Sequence, residues 1–193
     1  MSYLDESAAQ LKIFEGQIPW MYRDSSAAGY CTAATGNLIS GVTAAQAMPW
    51  QLPDGTPATS DQIADDYNRV MAMPAGLLAS HYRIPSSLTL AQDYMDTLLA
   101  QRQTSFEGSL RKIYAGYDGQ PDGAKKAELD MIFNLGPSKL LAYTHMNASI
   151  GRGDYASASQ QCARNSSNPA FNARNLWTKN QFRAAAGLDP VAE

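Results

Sequence analysis

Two carboxylates and a hydroxyl lie close together near the start of the chain. Glu15 precedes a glycine, Asp24 follows nine residues later, and Thr32 follows eight residues after Asp24. Cleavage of a glycosidic bond needs two carboxyl groups that face the bond, one protonated and one ionised. This stretch can supply both groups, so it is the first candidate for a catalytic site.

Glu15 is predicted to end an amphipathic helix. Leu4, Ala8 and Leu11 have the spacing of an apolar helical stripe, and Glu15 continues that stripe. The glycine at 16 predicts that the helix stops there. Partial burial and the negative end of the helix dipole would both favour the protonated carboxyl that a general acid needs. The alternative is a solvated glutamate at a frayed helix end.

A β-hairpin is predicted directly after this helix. Its strands are expected at residues 20–23 and 30–35, with a polar loop at 25–29. Side chains alternate along a strand, so Tyr30 and Thr32 should share one face of the hairpin.

Asp24 is expected to lie where the first strand ends, open to solvent and ionised. Taken alone, Asp24 is better explained as a turn-forming aspartate, and Thr32 as an ordinary strand threonine. Their joint spacing from Glu15 favours the functional interpretation.

These residues resemble the phage-type lysozyme family. The family pattern is a helix-terminal Glu-Gly, an Asp nine residues later, and Gly-Tyr-x-Thr followed by a glycine and a hydrophobic residue. Here it is carried by Glu15-Gly16, Asp24, Gly29-Tyr30-Cys31-Thr32 and Gly36-Asn37-Leu38. Segments 130–136, 153–155, 172–174 and 181–183 resemble later helices of the family, so the resemblance covers the whole chain.

The resemblance implies that Glu15 is the general acid. It implies that Asp24 stabilises charge or activates water on the opposite face of the sugar, and that Thr32 and Asp24 together hold the attacking water. It also implies inversion, for which the carboxyl groups lie roughly 6.5–9.5 Å apart. Arg174 matches an arginine that supports the acid across the cleft. The residues predicted to bind substrate are Tyr30, Leu38, Asn134 and Arg174.

Three features depart from the family pattern. Asn37 stands where the family commonly has histidine, and two extra residues separate Asp24 from Thr32. The stretch 41–85 is longer than the usual hairpin and linker. These departures bear on the shape of the substrate groove more than on the chemistry.

The predicted fold is α+β: a mostly helical, lysozyme-like fold with a small N-terminal β-hairpin and two lobes around a groove. A single catalytic domain is expected over 1–193, with 41–85 as a connecting insertion. Trp50 in that insertion is expected in the core. Further helices are predicted after a Ser60 cap, over 89–102, around Phe106 and Leu110, from Asp122, from Pro137, over 154–165 and over 169–186.

The composition limits the kinds of partner and cofactor that are expected. The formal net charge of −3 gives no basic face for nucleic acid. His81 and His145 are isolated and the two cysteines lack zinc-ligand spacing, so neither a metal nor another cofactor is expected. Cys31 and Cys162 are expected to be small buried hydrophobes, with a disulfide as the alternative for a protein outside the cytoplasm.

No signal peptide or membrane span is expected. The protein should be made in the cytoplasm and act in the periplasm or cell wall after lysis, holin release or machine-driven secretion.

The predicted function is that of a muramidase, which cleaves the β-1,4 bond between N-acetylmuramic acid and N-acetylglucosamine in peptidoglycan. The expected role is that of a monomeric endolysin or a bacteriolytic toxin, the latter needing an immunity protein. The alternatives are a lytic transglycosylase, a chitin-cleaving enzyme and a non-catalytic peptidoglycan-binding module.

Overall fold

The computed structural model describes residues 2–26, 28–165 and 170–192. Within these ranges the helices are α1 (Tyr3–Glu15), α2 (Val42–Gln46), α3 (Ser60–Ala72), α4 (Gln92–Ile113), α5 (Asp122–Leu141), α6 (Thr144–Gly151), α7 (Tyr155–Gln161) and α8 (Ala170–Ala185). The strands are β1 (Ile18–Arg23), β2 (Cys31–Ala34), β3 (Asn37–Ile39), β4 (Trp50–Gln51) and β5 (Thr89–Leu90). This mixture of helices with a small antiparallel sheet is compatible with the predicted α+β class.

The chain divides into two compact units, Glu15–Ala100 and Met1–Phe14 with Gln101–Glu193. We call them the hairpin unit and the helical unit. Glu15, Asp24, Thr32, Tyr30 and Leu38 all belong to the hairpin unit. The other two predicted site residues belong to the helical unit.

An antiparallel sheet of three strands in the order β1-β2-β3 organises the hairpin unit. Tyr22 pairs with Thr32, and Thr32 pairs with Leu38 on its other side. The predicted hairpin is therefore confirmed, with β3 added to it. One face of the sheet packs on α3 through buried apolar residues, among them Met21, Cys31, Ile39, Ile63 and Val70.

The 41–85 stretch contributes to the core of the hairpin unit. Trp50 is only 1% exposed, which confirms its predicted place in the core, and its indole N–H donates to the Ala45 carbonyl at 2.9 Å. Helix α3 is capped by Thr59, and the prediction of a Ser60 cap was wrong by one residue. The Thr59 hydroxyl accepts from the Gln62 N–H while the Gln62 side chain accepts from the Thr59 N–H, a reciprocal capping box.

The helical unit differs from the prediction in two places. Two helices were predicted on either side of residue 103, but α4 runs unbroken from Gln92 to Ile113, because no proline interrupts it and its one glycine, Gly108, is tolerated within a long helix. Helix α6 was not predicted as a separate element. The break before Pro137 is confirmed, since Gly136 has a non-helical φ of 75°. The predicted start of the last helix at Pro169 lies outside the described residues.

Candidate active site in the hairpin unit

Glu15 is the last residue of α1, as predicted. Gly16 follows it with φ of +71°, a left-handed conformation that glycine adopts without a steric penalty. The expected partial burial is wrong, because the Glu15 side chain is exposed. Burial on α1 is confined to Ser7 and Leu11, and Glu15 lies one turn beyond them at the end of the helix.

Asp24 closes the loop between β1 and β2. Its Oδ1 accepts hydrogen bonds from Ser26 N at 3.1 Å, Ser26 Oγ at 2.6 Å and Tyr30 N at 3.0 Å. Its own N–H donates to the Tyr30 carbonyl at 2.9 Å. Asp24 is therefore a turn-forming aspartate, and it is half-buried rather than open. From the described part of the chain Oδ2 accepts no hydrogen bond, so one carboxylate oxygen is left for another role.

The register of the strands places the candidate residues on one face of the sheet. The Asp24 N–H to Tyr30 bond continues the ladder beyond the Tyr22–Thr32 pair, and side chains two residues apart share a face. We call this the outer face; it consists of Tyr22, Asp24, Tyr30, Thr32 and Leu38. It is the face opposite to that of Met21, Cys31 and Ile39.

Exposure differs strongly across the outer face. Tyr30 and Leu38 are 52% and 59% exposed, whereas Thr32 between them is only 4% exposed. The Thr32 hydroxyl lies 3.4 Å from the Tyr30 carbonyl, a long and weak hydrogen bond. Thr32 can therefore turn its hydroxyl toward another partner at little cost, although it has little open surface of its own.

Sequence reasoning missed Arg23. In a strand it must point away from Asp24, toward the packed face, and there its Nε–H donates to the Gly29 carbonyl at 2.9 Å. Its Nη1 donates to the carbonyls of Met73 at 2.7 Å and Met71 at 3.3 Å. The alternation next to Asp24 was a signal that Arg23 points toward the packed face, where it is half-buried, but nothing near Arg23 in the sequence indicated its partners.

Arg174 takes part in a buried ionic cluster of the helical unit. Arg174 is 4% exposed, and its Nε donates to Asp130 Oδ1 at 2.8 Å. Asp130 also accepts from Arg164 and, at 2.7 Å, from the Thr178 hydroxyl. Arg174 is therefore no solvated surface arginine, which was the alternative to its predicted role.

The other predicted residue of the helical unit is Asn134, which lies half-buried on α5. Its predicted contact with substrate stays a prediction, as does the support of the acid by Arg174. The sequence alone did not reveal the Asp130 cluster, because Asp130 lies more than thirty residues before Arg164 and Arg174.

The two cysteines are free and buried, which confirms their predicted role as small hydrophobes. Burial raises the pKa of the Cys31 thiol to about 12 and that of Cys162 to about 11. Both thiols therefore stay protonated and unreactive near neutral pH.

The described ranges contain neither a cluster of metal-ligating side chains nor a membrane-spanning helix. There, no three His, Cys, Asp or Glu side chains are grouped so that they could hold a metal ion, and no helix is long and apolar enough to cross a bilayer. Comparison of the chain with models of known protein families and with curated proteins finds no match. The function is therefore inferred from the residues of the site and their geometry.

Proposed function

We propose that the protein is an N-acetylmuramidase, a hydrolase that cleaves the β-1,4 bond between N-acetylmuramic acid and N-acetylglucosamine in peptidoglycan. One observation carries the proposal: the outer face brings Asp24, with Oδ2 not engaged by the described residues, together with Thr32, in the strands that follow the helix-terminal Glu15. The spacing of these three residues resembles that of the phage-type lysozymes.

Each residue has a role in this proposal. Glu15 donates a proton to the leaving oxygen of the glycosidic bond, and its exposure lets it reach a long polymer. Asp24 Oδ2 accepts a proton from a water on the other face of the sugar ring, while the Thr32 hydroxyl orients that water. Hydrolysis with inversion uses this division between an acid and a base.

The exposed side chains of the outer face suit a polymeric substrate. Tyr30 and Leu38 flank Thr32 and present apolar surface to solvent, which a sugar ring can cover. Asn134 and Arg174 are proposed as further substrate-binding residues. Biologically the activity would lyse bacterial cell walls, as an endolysin or an antibacterial toxin.

A non-catalytic peptidoglycan-binding module is the second candidate. The exposed Glu15 and the turn-forming contacts of Asp24 favour it, since neither feature requires catalysis. Such a module would bind sacculi through the outer face without releasing fragments.

Mass spectrometry of the fragments released from purified sacculi tests the proposal. We expect muropeptides that end in reducing N-acetylmuramic acid, because water attacks the bond. A dominant anhydro product would indicate a lytic transglycosylase, and binding without release would indicate the binding module. Chitin incubated in parallel is the control, since efficient cleavage of chitin would reassign the substrate.

A further inference from the structure

We infer that Arg23 is a positioning residue that holds the Asp24 carboxylate by clamping the Gly29 end of the β1–β2 loop to the C-terminal end of α3, a role that rests on the proposed function of Asp24. The clamp consists of the Arg23 guanidinium, the Gly29 carbonyl and the carbonyls of Met71 and Met73. It gives the 41–85 stretch a part in the site.

The α3 end of the clamp is built by local sequence. Met73 precedes a proline and is extended, with φ of −80° and ψ of 156°, so the helix stops and its last carbonyls lack helical partners. A cation is favourable at a helix C-terminus, and Arg23 donates to two carbonyls there. A planar guanidinium can reach these carbonyls and Gly29 at the same time, whereas an ammonium group cannot.

The loop end of the clamp is tightly packed. Gly29 has φ of +57°, and a Cβ at this position would lie 2.4 Å from the Ala75 Cβ and 2.8 Å from Arg23 Nη2. Only glycine fits here, so the loop backbone rests directly on Arg23 and on the segment after α3.

The end of the loop that leads into β2 is held by two neighbouring side chains, Arg23 and Asp24. Arg23 fixes the Gly29 carbonyl, and the next N–H, that of Tyr30, donates to Asp24 Oδ1. A shift of Gly29 therefore moves the donor that orients the Asp24 carboxylate. Small displacements of a catalytic group are enough to lower a rate by about 10²-fold.

A double-mutant cycle tests this role. Turnover of purified peptidoglycan is measured for the parent, Arg23→Lys, Asp24→Asn and the double variant. We expect Arg23→Lys to lower kcat by about 10- to 100-fold with little change in KM. In the Asp24→Asn background the same substitution should cause no further loss, because Arg23 acts through Asp24. Arg83→Lys is the matched control: Arg83 stacks on Trp20 in the same unit, and the variant should keep the parent rate.

Amide hydrogen exchange measures how firmly the clamp holds the loop, without relying on activity. The Ser26 and Tyr30 amides should exchange faster in Arg23→Lys, while the melting temperature changes little. Gly29→Ala, which pushes on the same contact, should show the same faster exchange and the same non-additive loss of kcat.

Three results would overturn the role of Arg23. They are a parent-like kcat in Arg23→Lys, an equal fold-loss in both backgrounds, and unchanged exchange of the two amides. If the parent itself does not cleave peptidoglycan, the proposed function fails. If the parent is active and Arg23→Lys equals it, only the clamp fails.

Discussion

Substitution of Asp24 separates its part in the turn from its part in catalysis. Oδ1 accepts three hydrogen bonds, from Ser26 N, Ser26 Oγ and Tyr30 N. In Asp24→Asn the amide oxygen can accept the same three bonds, so the loop should keep its shape, but the negative charge is gone. In Asp24→Ala all three bonds are lost along with the charge.

The magnitudes follow from these contacts. A neutral hydrogen bond contributes about 0.5–1.5 kcal/mol and a charged one more, and the half-exposed site puts each value at the low end of its range. Asp24→Asn should therefore lower the free energy of unfolding by about 1 kcal/mol or less, and Asp24→Ala by about 2–3 kcal/mol. If Asp24 activates water, both variants should lose about 10²- to 10⁴-fold in turnover.

Urea denaturation and the release of soluble fragments from purified sacculi measure the two effects on the same samples. The informative variant is Asp24→Asn, because it is expected to be stable and inactive. An Asp24→Asn protein that releases fragments at the parent rate would refute the catalytic role and leave Asp24 as a turn residue only.

Three further predictions concern Thr32, the buried ionic cluster and a buried glutamate. Thr32→Val keeps the shape but removes the hydroxyl, so it should lose activity on sacculi while Thr32→Ser retains most of it; equal activities would make Thr32 a packing residue. Arg174→Ala removes the contacts of the guanidinium with Asp130, made through both Nε and Nη2, while Arg164 still pairs with Asp130, so urea denaturation should show a loss of about 1.5–3 kcal/mol. Fragment release should fall as well, and a parent rate would remove Arg174 from the proposed site. Burial raises the pKa of Glu128 well above 4.5, against smaller opposing effects of Gln120 and Lys125. As pH rises past that ordinary value the unfolded chain ionises while the folded protein keeps the proton, so Glu128 costs stability. Glu128→Gln should therefore raise the melting temperature more at about pH 7 than at about pH 4, and a pH-independent difference would contradict this.

Local signals in the sequence predicted the frame of the site. The end of α1 at Glu15 follows from Gly16, and the hairpin follows from β-forming residues around a polar loop. Both depend on conformational preferences of adjacent residues. The shared face of Tyr30 and Thr32 follows from strand alternation in the same way.

Features set by distant parts of the chain could not be predicted. The exposure of Glu15 depends on which residues pack around the end of α1. The spacing of apolar residues along the helix does not reveal this. Two partners of Arg23, the carbonyls of Met71 and Met73, lie about fifty residues away at the C-terminal end of α3, and no pattern near Arg23 indicates them. The Asp130 cluster likewise joins α5 to Arg164 and α8, and appears only once these elements are packed.

The comparison of the parent protein with Glu15→Gln on purified peptidoglycan tests the central claim most directly. Glutamine has nearly the same shape and cannot donate the acidic proton, and at an exposed position it should leave the melting temperature unchanged. New reducing ends are counted over time at equal protein concentration. The account predicts that the parent generates reducing N-acetylmuramic acid ends and that Glu15→Gln is slower by about 10²-fold or more. Equal rates for the two proteins would contradict it.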